Sequence, residues 1–122
     1  MGKKLENLGY FTGTVEKYRA PFPAPRDTTF TDGVHYVMEY ATWLVTDIFA
    51  QLMANPKLKG VDFMLIVFTP ERNGKCARVE YKDDNYKVLE IQEYSIADLD
   101  DEVEFYFIDD ISVKTLLLRS EY

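Results

Sequence analysis

The side chains of this sequence that could do chemistry are few. His35 is the only histidine and Cys76 the only cysteine, so the chain can form neither an internal disulfide nor a multi-histidine metal site. A lone histidine beside a helix start is commonly a surface or capping residue, and a lone strand cysteine commonly packs as a small apolar side chain. The six glycines are scattered, and motifs for phosphate loops, dinucleotide folds, zinc proteases and serine hydrolases are missing. We therefore assign no catalytic residue, no metal ligand and no cofactor.

Acidic residues are concentrated between Asp98 and Asp110, and three interpretations remain open. The segment can be a solvated loop followed by an edge strand that its charges keep from aggregating. It can imitate a row of phosphates and occupy a basic nucleic-acid channel. It can also bind a divalent metal through Asp98, Asp100 and Glu102, although it lacks the glycine and the twelve-residue span of a calcium loop. The candidate partner-binding surface consists of Asp98, Asp100, Asp101, Glu102 and Glu104.

A second candidate site is aromatic. Tyr36, Tyr40 and Trp43 recur at four- and three-residue spacing, which would place them on one side of a continuous helix. Packing in the core is one explanation, and an exposed cluster would instead be a hot spot for binding a protein. A pocket lined by Tyr18, Tyr36 and Trp43 would suit a small ligand. The three helix residues are therefore candidates for binding either a partner or a ligand.

Composition and charge restrict the class of protein. A chain of 122 residues fits one domain, because two cores of about 60 residues each would be only marginally stable. The formal net charge of −7 opposes binding to bare nucleic acid or to an anionic membrane and suits a basic protein partner. The longest apolar run, residues 63–68, is far shorter than the roughly 20 residues of a spanning helix. We expect a cytoplasmic protein.

The elements that would position these side chains follow from periodicity. Residues 1–26 hold a weak strand signal and then a proline-rich crossing, in which three prolines favour an extended linker. Residues 32–55 carry apolar side chains at three- and four-residue spacing, which predicts the main helix. That helix begins at Asp32 or only at Thr42.

From residue 61 to residue 118 the apolar period becomes two. About five strands follow one another with tight turns and no intervening helix. This pattern predicts an antiparallel meander sheet with the helix packed across one face, a two-layer α+β fold. An unpaired first or last strand would allow a homodimer to form through a sheet edge.

Short motifs along the chain resemble an uncharacterised family. They are FTGT at residues 11–14 with Tyr18-Arg19, FTDGVHY at 30–36, TWLV at 42–45 and LLLRSEY at 116–122. The family occurs in bacterial genomes, phages and mobile elements and is known only as a domain of unknown function. The resemblance implies no activity. It implies a small freestanding protein of a kind that often binds or inhibits host machinery.

Three hypotheses about function follow. The leading one is a non-enzymatic acidic protein-binding module, an inhibitor of a host nucleic-acid-handling or defence complex, with an acidic or aromatic surface on one side. The alternative is a small-ligand-binding or regulatory domain, which predicts an apolar pocket between helix and sheet. The third is a hydrolase that uses carboxylates and tyrosines, which predicts two carboxylates converging in a cleft.

Overall fold

Two helices and a seven-stranded sheet make up the described part of the chain. In this computed structural model it comprises residues 17–20, 24–25, 27–71, 76–95, 99, 101–109 and 113–122. The helices are α1 (Asp32–Tyr40) and α2 (Thr42–Ala54). The strands are β1 (Lys17–Arg19), β2 (Thr28–Thr31), β3 (Phe63–Pro70), β4 (Ala77–Lys82), β5 (Val88–Tyr94), β6 (Val103–Asp109) and β7 (Lys114–Leu118). Short 3₁₀ turns occupy Pro56–Leu58 and Arg119–Glu121. The predicted α+β class is confirmed.

The sheet differs from the predicted meander. Its strand order is β1-β2-β7-β6-β3-β4-β5, and every neighbouring pair is antiparallel except β2 and β7. After β5 the chain leaves the edge and returns to place β6 beside β3. Burial explains this order, because β6 buries Val103, Phe105 and Phe107, whereas β5 has only half-buried and exposed side chains. A strand with buried apolar side chains, such as β6, is favoured inside a sheet. A strand without fully buried side chains, such as β5, is favoured at the edge.

The sheet also has more strands than the five expected, because β1 and β2 join it. The four residues of β2 lie between the predicted crossing (residues 1–26) and the predicted helix (residues 32–55), where we predicted no strand. β2 pairs in parallel with β7, and Phe30 is opposite Leu116. Four residues are too few to show a clear alternation of apolar and polar side chains, and the partner strand β7 is far away in the sequence. The strand signal before residue 17 lies outside the described residues.

The predicted helix of residues 32–55 is interrupted at Ala41. This residue has φ −145° and ψ 66°, outside the helical region. The Thr42 hydroxyl donates a hydrogen bond of 2.7 Å to the Met38 carbonyl, and such side-chain bonds compete with the backbone bonds of a helix. Each of the two helix starts that the sequence allowed, Asp32 and Thr42, therefore begins a helix of its own.

The helices cover one face of the sheet. α1 packs against β1, β2 and β7, at one side. α2 reaches the other side, where Trp43 packs edge-on against Phe68 of β3 and Tyr94 of β5. Because of the break at Ala41, two short helices follow the twist of the sheet. One straight helix would lose contact with part of the sheet. In the described part of the chain, neither helix is long and apolar enough to cross a lipid bilayer.

The residue Glu121 fastens the end of β7 to the start of α1. Its buried carboxylate accepts hydrogen bonds from the Thr31 hydroxyl (2.5 Å), the Gly33 backbone amide (3.1 Å) and the Leu118 backbone amide (2.9 Å). Thr31 occupies the N-cap position, but its side chain accepts no capping bond. Glu121 supplies that acceptor from the other end of the chain, and the positive end of the helix dipole favours its negative charge.

Candidate interaction surface

The candidate surface is the face of the sheet opposite the helices. Met64 and Ile66 belong to the core, so Leu65 between them points away from the helices. Leu65 is paired with Tyr106, which is paired with Leu117, and the three side chains share this face. We call it the open face because the helices pack on the other side of the sheet. Its residues Leu65, Val67 and Leu117 are buried, and its half-buried residues are Phe63, Glu104, Tyr106, Ile108 and Thr115.

Three aromatic rings are grouped on the open face. The ring centroids of Phe63 and Tyr106 lie 4.8 Å apart, and those of Tyr122 lie 5.6 Å and 5.1 Å from them. Tyr122 stands nearly perpendicular to both rings, the edge-to-face arrangement that aromatic side chains prefer. Its side chain is nevertheless 74% exposed. We call Phe63, Tyr106 and Tyr122 the aromatic triad.

Two of the predicted acidic residues are next to the triad. Glu102, Glu104 and Tyr106 follow one another at two-residue spacing into β6, so their side chains are directed to the same face. Glu104 forms an ion pair of 2.6 Å with Arg119. That hydrogen bond is the main reason why the pKa of the Arg119 guanidinium is raised above its ordinary value. Part of the acidic charge is therefore neutralised within the protein.

The remaining acidic candidates are placed differently. Asp101 is half-buried and one residue out of this alternation, while Asp98 and Asp100 lie outside the described residues. The metal site considered in the sequence analysis requires both Asp98 and Asp100 as ligands. Among the described residues no three histidine, cysteine or acidic side chains are grouped closely enough to hold a metal ion.

The open face continues to the β5 edge of the sheet. Ile91 is paired with Glu80, which is paired with Val67, so it lies on the same face. Val88 and Ile91 are 42% and 44% exposed. These two side chains form a small exposed apolar patch that is two strands away from Phe63, because β4 lies between β5 and β3.

The aromatic residues predicted on the helix do not form one cluster. Tyr36 and Tyr40 contact each other edge-to-face on α1, with ring centroids 5.0 Å apart. Trp43 follows the break at Ala41 and is half-buried against β3 and β5. Tyr18 stacks on His35 at the β1 side of the sheet, 4.6 Å between ring centroids. The ligand pocket that needed Tyr18 and Trp43 together is therefore not formed.

The single histidine and the single cysteine are far apart. His35 lies against Tyr18 and within 3.2 Å of Glu39 on α1. Cys76 precedes β4 at the other side of the sheet and borders an open cleft of about 600 Å³ with Arg78 and Glu93. Its thiol is 3.9 Å from the Ser95 carbonyl oxygen. Since the only histidine lies elsewhere, no cysteine–histidine pair is formed.

A polar group beneath α2 links the helix to β4 and β5. The Tyr94 hydroxyl donates a hydrogen bond to the Asp47 carboxylate. The Tyr81 side chain is fully buried, and no described group bonds its hydroxyl. Burial raises the pKa of both tyrosines, and for Tyr81 the neighbouring Tyr94, Asp47 and Glu90 raise it further. Both tyrosines are thus held in the neutral form, which makes them unsuitable as bases at neutral pH.

The comparison with known families decides the classification. A family of unknown function, DUF6876, matches residues 2–122. The chain belongs to this family. The resemblance inferred from the short motifs is thereby confirmed. No curated protein and no solved structure matches the chain.

Two of the family-like motifs meet in space. The segment 30–36 contains Thr31 and Gly33, and the segment 116–122 contains Glu121, which bonds to both. The second segment also contains Tyr122, the most exposed ring of the aromatic triad. The segment 116–122 therefore both bonds to the start of α1 and carries the exposed aromatic residue Tyr122.

Sequence reasoning missed the aromatic triad. Tyr106 could have been found, because it continues the two-residue alternation of Glu102 and Glu104. Phe63 belongs to a strand that is apolar on both faces, so the sequence does not tell its inward from its outward residues. Tyr122 follows the last strand and belongs to no periodic pattern.

Proposed function

We propose that this protein is a non-enzymatic protein-binding module and that the open face is its contact surface. Its partner presents basic groups, as a nucleic-acid-handling or defence complex of a bacterial host does. Binding there would keep nucleic acid away from the partner, and the protein would act as an inhibitor carried by a phage or mobile element.

The observation that carries this proposal is the exposure of Tyr122, which is held against the half-buried rings of Phe63 and Tyr106. Tyr122 leaves three quarters of its side chain in solvent, although two other rings position it. Tyrosine is enriched among the residues that dominate binding energy, because its large ring loses little conformational freedom on binding. A ring already held by neighbours loses still less.

The charges beside the triad support a basic partner. Glu102 is exposed just before β6, and Glu104 is half-buried within that strand. A shallow groove of about 170 Å³ runs between these residues, Leu118 and Arg119. It is smaller than the roughly 300 Å³ at which small-molecule sites begin, so it suits one side chain of a partner. A lysine or arginine there would meet the Glu102 carboxylate, while Glu104 is already paired with Arg119.

The test is a quantitative pull-down from bacterial lysate with three forms of the tagged protein. They are the native chain, Tyr122→Ala on the open face and Tyr40→Ala on α1, a control that removes the same side chain from the opposite side. We expect a partner that the native chain and Tyr40→Ala retain, that Tyr122→Ala loses, and that moderate salt weakens. Equal retention by both variants would contradict the open face as the contact surface. No specific partner at low salt would contradict the binding function.

A further inference from the structure

A cavity of about 330 Å³ lies where α2 ends above the sheet. Leu52, Leu58 and Phe107 line it and are 6%, 4% and 5% exposed, so its floor is apolar and already withdrawn from solvent. Met53 and Val61 form half-buried walls. The volume is at the lower end of the range of small-molecule sites, about 300–1,000 Å³.

The local sequence explains why the space is left open. α2 stops at Ala54 because Asn55 precedes proline, and the Asn55 side chain accepts a hydrogen bond from the Lys57 amide to start the 3₁₀ turn. Gly60 then adopts φ +78°, a left-handed conformation that glycine tolerates. The chain thus turns around the end of the helix towards β3 instead of filling the space below it.

The charged side chains among the described lining residues are half-buried or exposed, and none is fully buried. The Lys114 amine is 3.9 Å from the Asp109 carboxylate, across the paired ends of β6 and β7. Lys59 is exposed on the other side of the opening. Among the described residues, the lining therefore carries two amines and one carboxylate. The nearby Asp27 and Asp62 contribute backbone carbonyls, to the amides of Lys114 and Asp109, and do not line the cavity.

The geometry points to a binding site for a small amphipathic anion, a molecule with an apolar body and one carboxylate or similar group. The apolar body lies on Leu52 and Phe107, and the anionic group lies at the rim between Lys59 and Lys114. The carbonyl end of α2 carries partial negative charge, which keeps the anionic group out of the deep part. The site lies between the helices and the sheet, so it does not depend on the open face.

The experiment compares three probes of equal chain length by calorimetry and by NMR chemical-shift changes: decanoate, 1-decanol and decylamine. We expect decanoate to bind about fivefold more tightly than decanol, the effect of one partly exposed charge contact, and decylamine more weakly than both. Shift changes should centre on Leu52, Phe107 and Lys114. Equal affinity for the three probes, or binding of none, would overturn the proposal.

Variants locate the binding. Lys114→Gln should weaken decanoate about fivefold and leave decanol unchanged, whereas Lys57→Gln, a neighbouring lysine outside the lining, should change neither. Met53→Trp should abolish binding of both probes by filling the cavity, with the circular dichroism spectrum unchanged. Decanoate affinity that is the same in the native chain, Lys114→Gln and Lys59→Gln would overturn the assignment even if Met53→Trp failed to fold.

Discussion

Gly33 and Glu121 lie so close together that the space for a side chain on Gly33 is already occupied. A Cβ atom there would be 2.5 Å from a Glu121 carboxylate oxygen and 2.7 Å from a Leu118 methyl group. Two residues 88 positions apart in the sequence thus restrict each other. The contact explains why a poor helix former occupies the second position of α1.

Replacing Gly33 with alanine should therefore destabilise the protein. In an exposed helix interior this change stabilises by about 1 kcal/mol, but here overpacking should lower the free energy of unfolding by about 2 kcal/mol. Urea unfolding measures the change. The loss should be smaller when Gly33→Ala is made in a Glu121→Ala background, because only the contact with Leu118 remains. A stabilised Gly33→Ala variant would contradict the close contact.

Glu121→Ala should cost about 3 kcal/mol in the free energy of unfolding, because it leaves the Thr31 hydroxyl and two backbone amides buried without their acceptor. Ser120→Ala, a change at an exposed neighbour, should stay within about 0.5 kcal/mol of the native value. Thermal or urea unfolding of the pair gives the comparison. Equal stability of the two variants would show that the carboxylate is not a structural acceptor.

The buried Tyr81 and the half-buried Tyr94 should respond in opposite ways to the loss of a hydroxyl. Tyr94→Phe removes the hydrogen bond to Asp47 and should cost about 1.5 kcal/mol. Tyr81→Phe removes a buried hydroxyl that no described group bonds, so it should be neutral or stabilise by about 1 kcal/mol. Urea unfolding of both variants checks the contrast. A large loss for Tyr81→Phe would indicate a partner for that hydroxyl.

Stability should fall at alkaline pH. The pKa of Tyr81 is raised in the folded protein, whereas in the unfolded chain it is near the ordinary value of about 10. The stabilisation is complete below that pH. Above it the unfolded chain loses a proton that the folded protein keeps, so the free energy of unfolding falls by up to about 1.4 kcal/mol per pH unit. Urea unfolding between pH 8 and about pH 11 should show a shallower decline for Tyr81→Phe than for the native chain.

Arg119 should limit the acidity of the open face. Arg119→Gln frees the Glu104 carboxylate, so the affinity for a short oligolysine should rise up to about fivefold at low salt. Lys57→Gln removes an equal charge from the ion pair with Glu90, on the helix side of the sheet, and serves as the control. An equal rise in both variants would mean that net charge alone, and not the surface around Glu104, attracts cations.

Periodicity predicted the elements that depend on neighbours in sequence. The five strands after residue 61 and the helical character of residues 32–55 follow from the spacing of apolar residues, but the break at Ala41 that divides the helix does not. The pairing of Phe30 with Leu116 could not be predicted in this way, since no local pattern links them. The same holds for Tyr122 and Phe63, whose contact depends on the path of the chain after β7. The sequence shows that acidic residues are concentrated in this segment, but it does not predict the ion pair of Glu104 with Arg119.

The parallel pairing of β2 with β7 also sets the order in which the chain can fold. Thr29 bonds to a residue 85 positions later, and Thr31 to one 90 positions later. During synthesis β2 and α1 leave the ribosome long before these partners, while the hairpin of β3 and β4 can form as soon as it emerges. The core residues Phe30, Val34 and Val37 therefore remain exposed to solvent until β7 has been synthesised. A chain with this topology should fold late and slowly for its size, and holding chaperones would protect its first third on the ribosome.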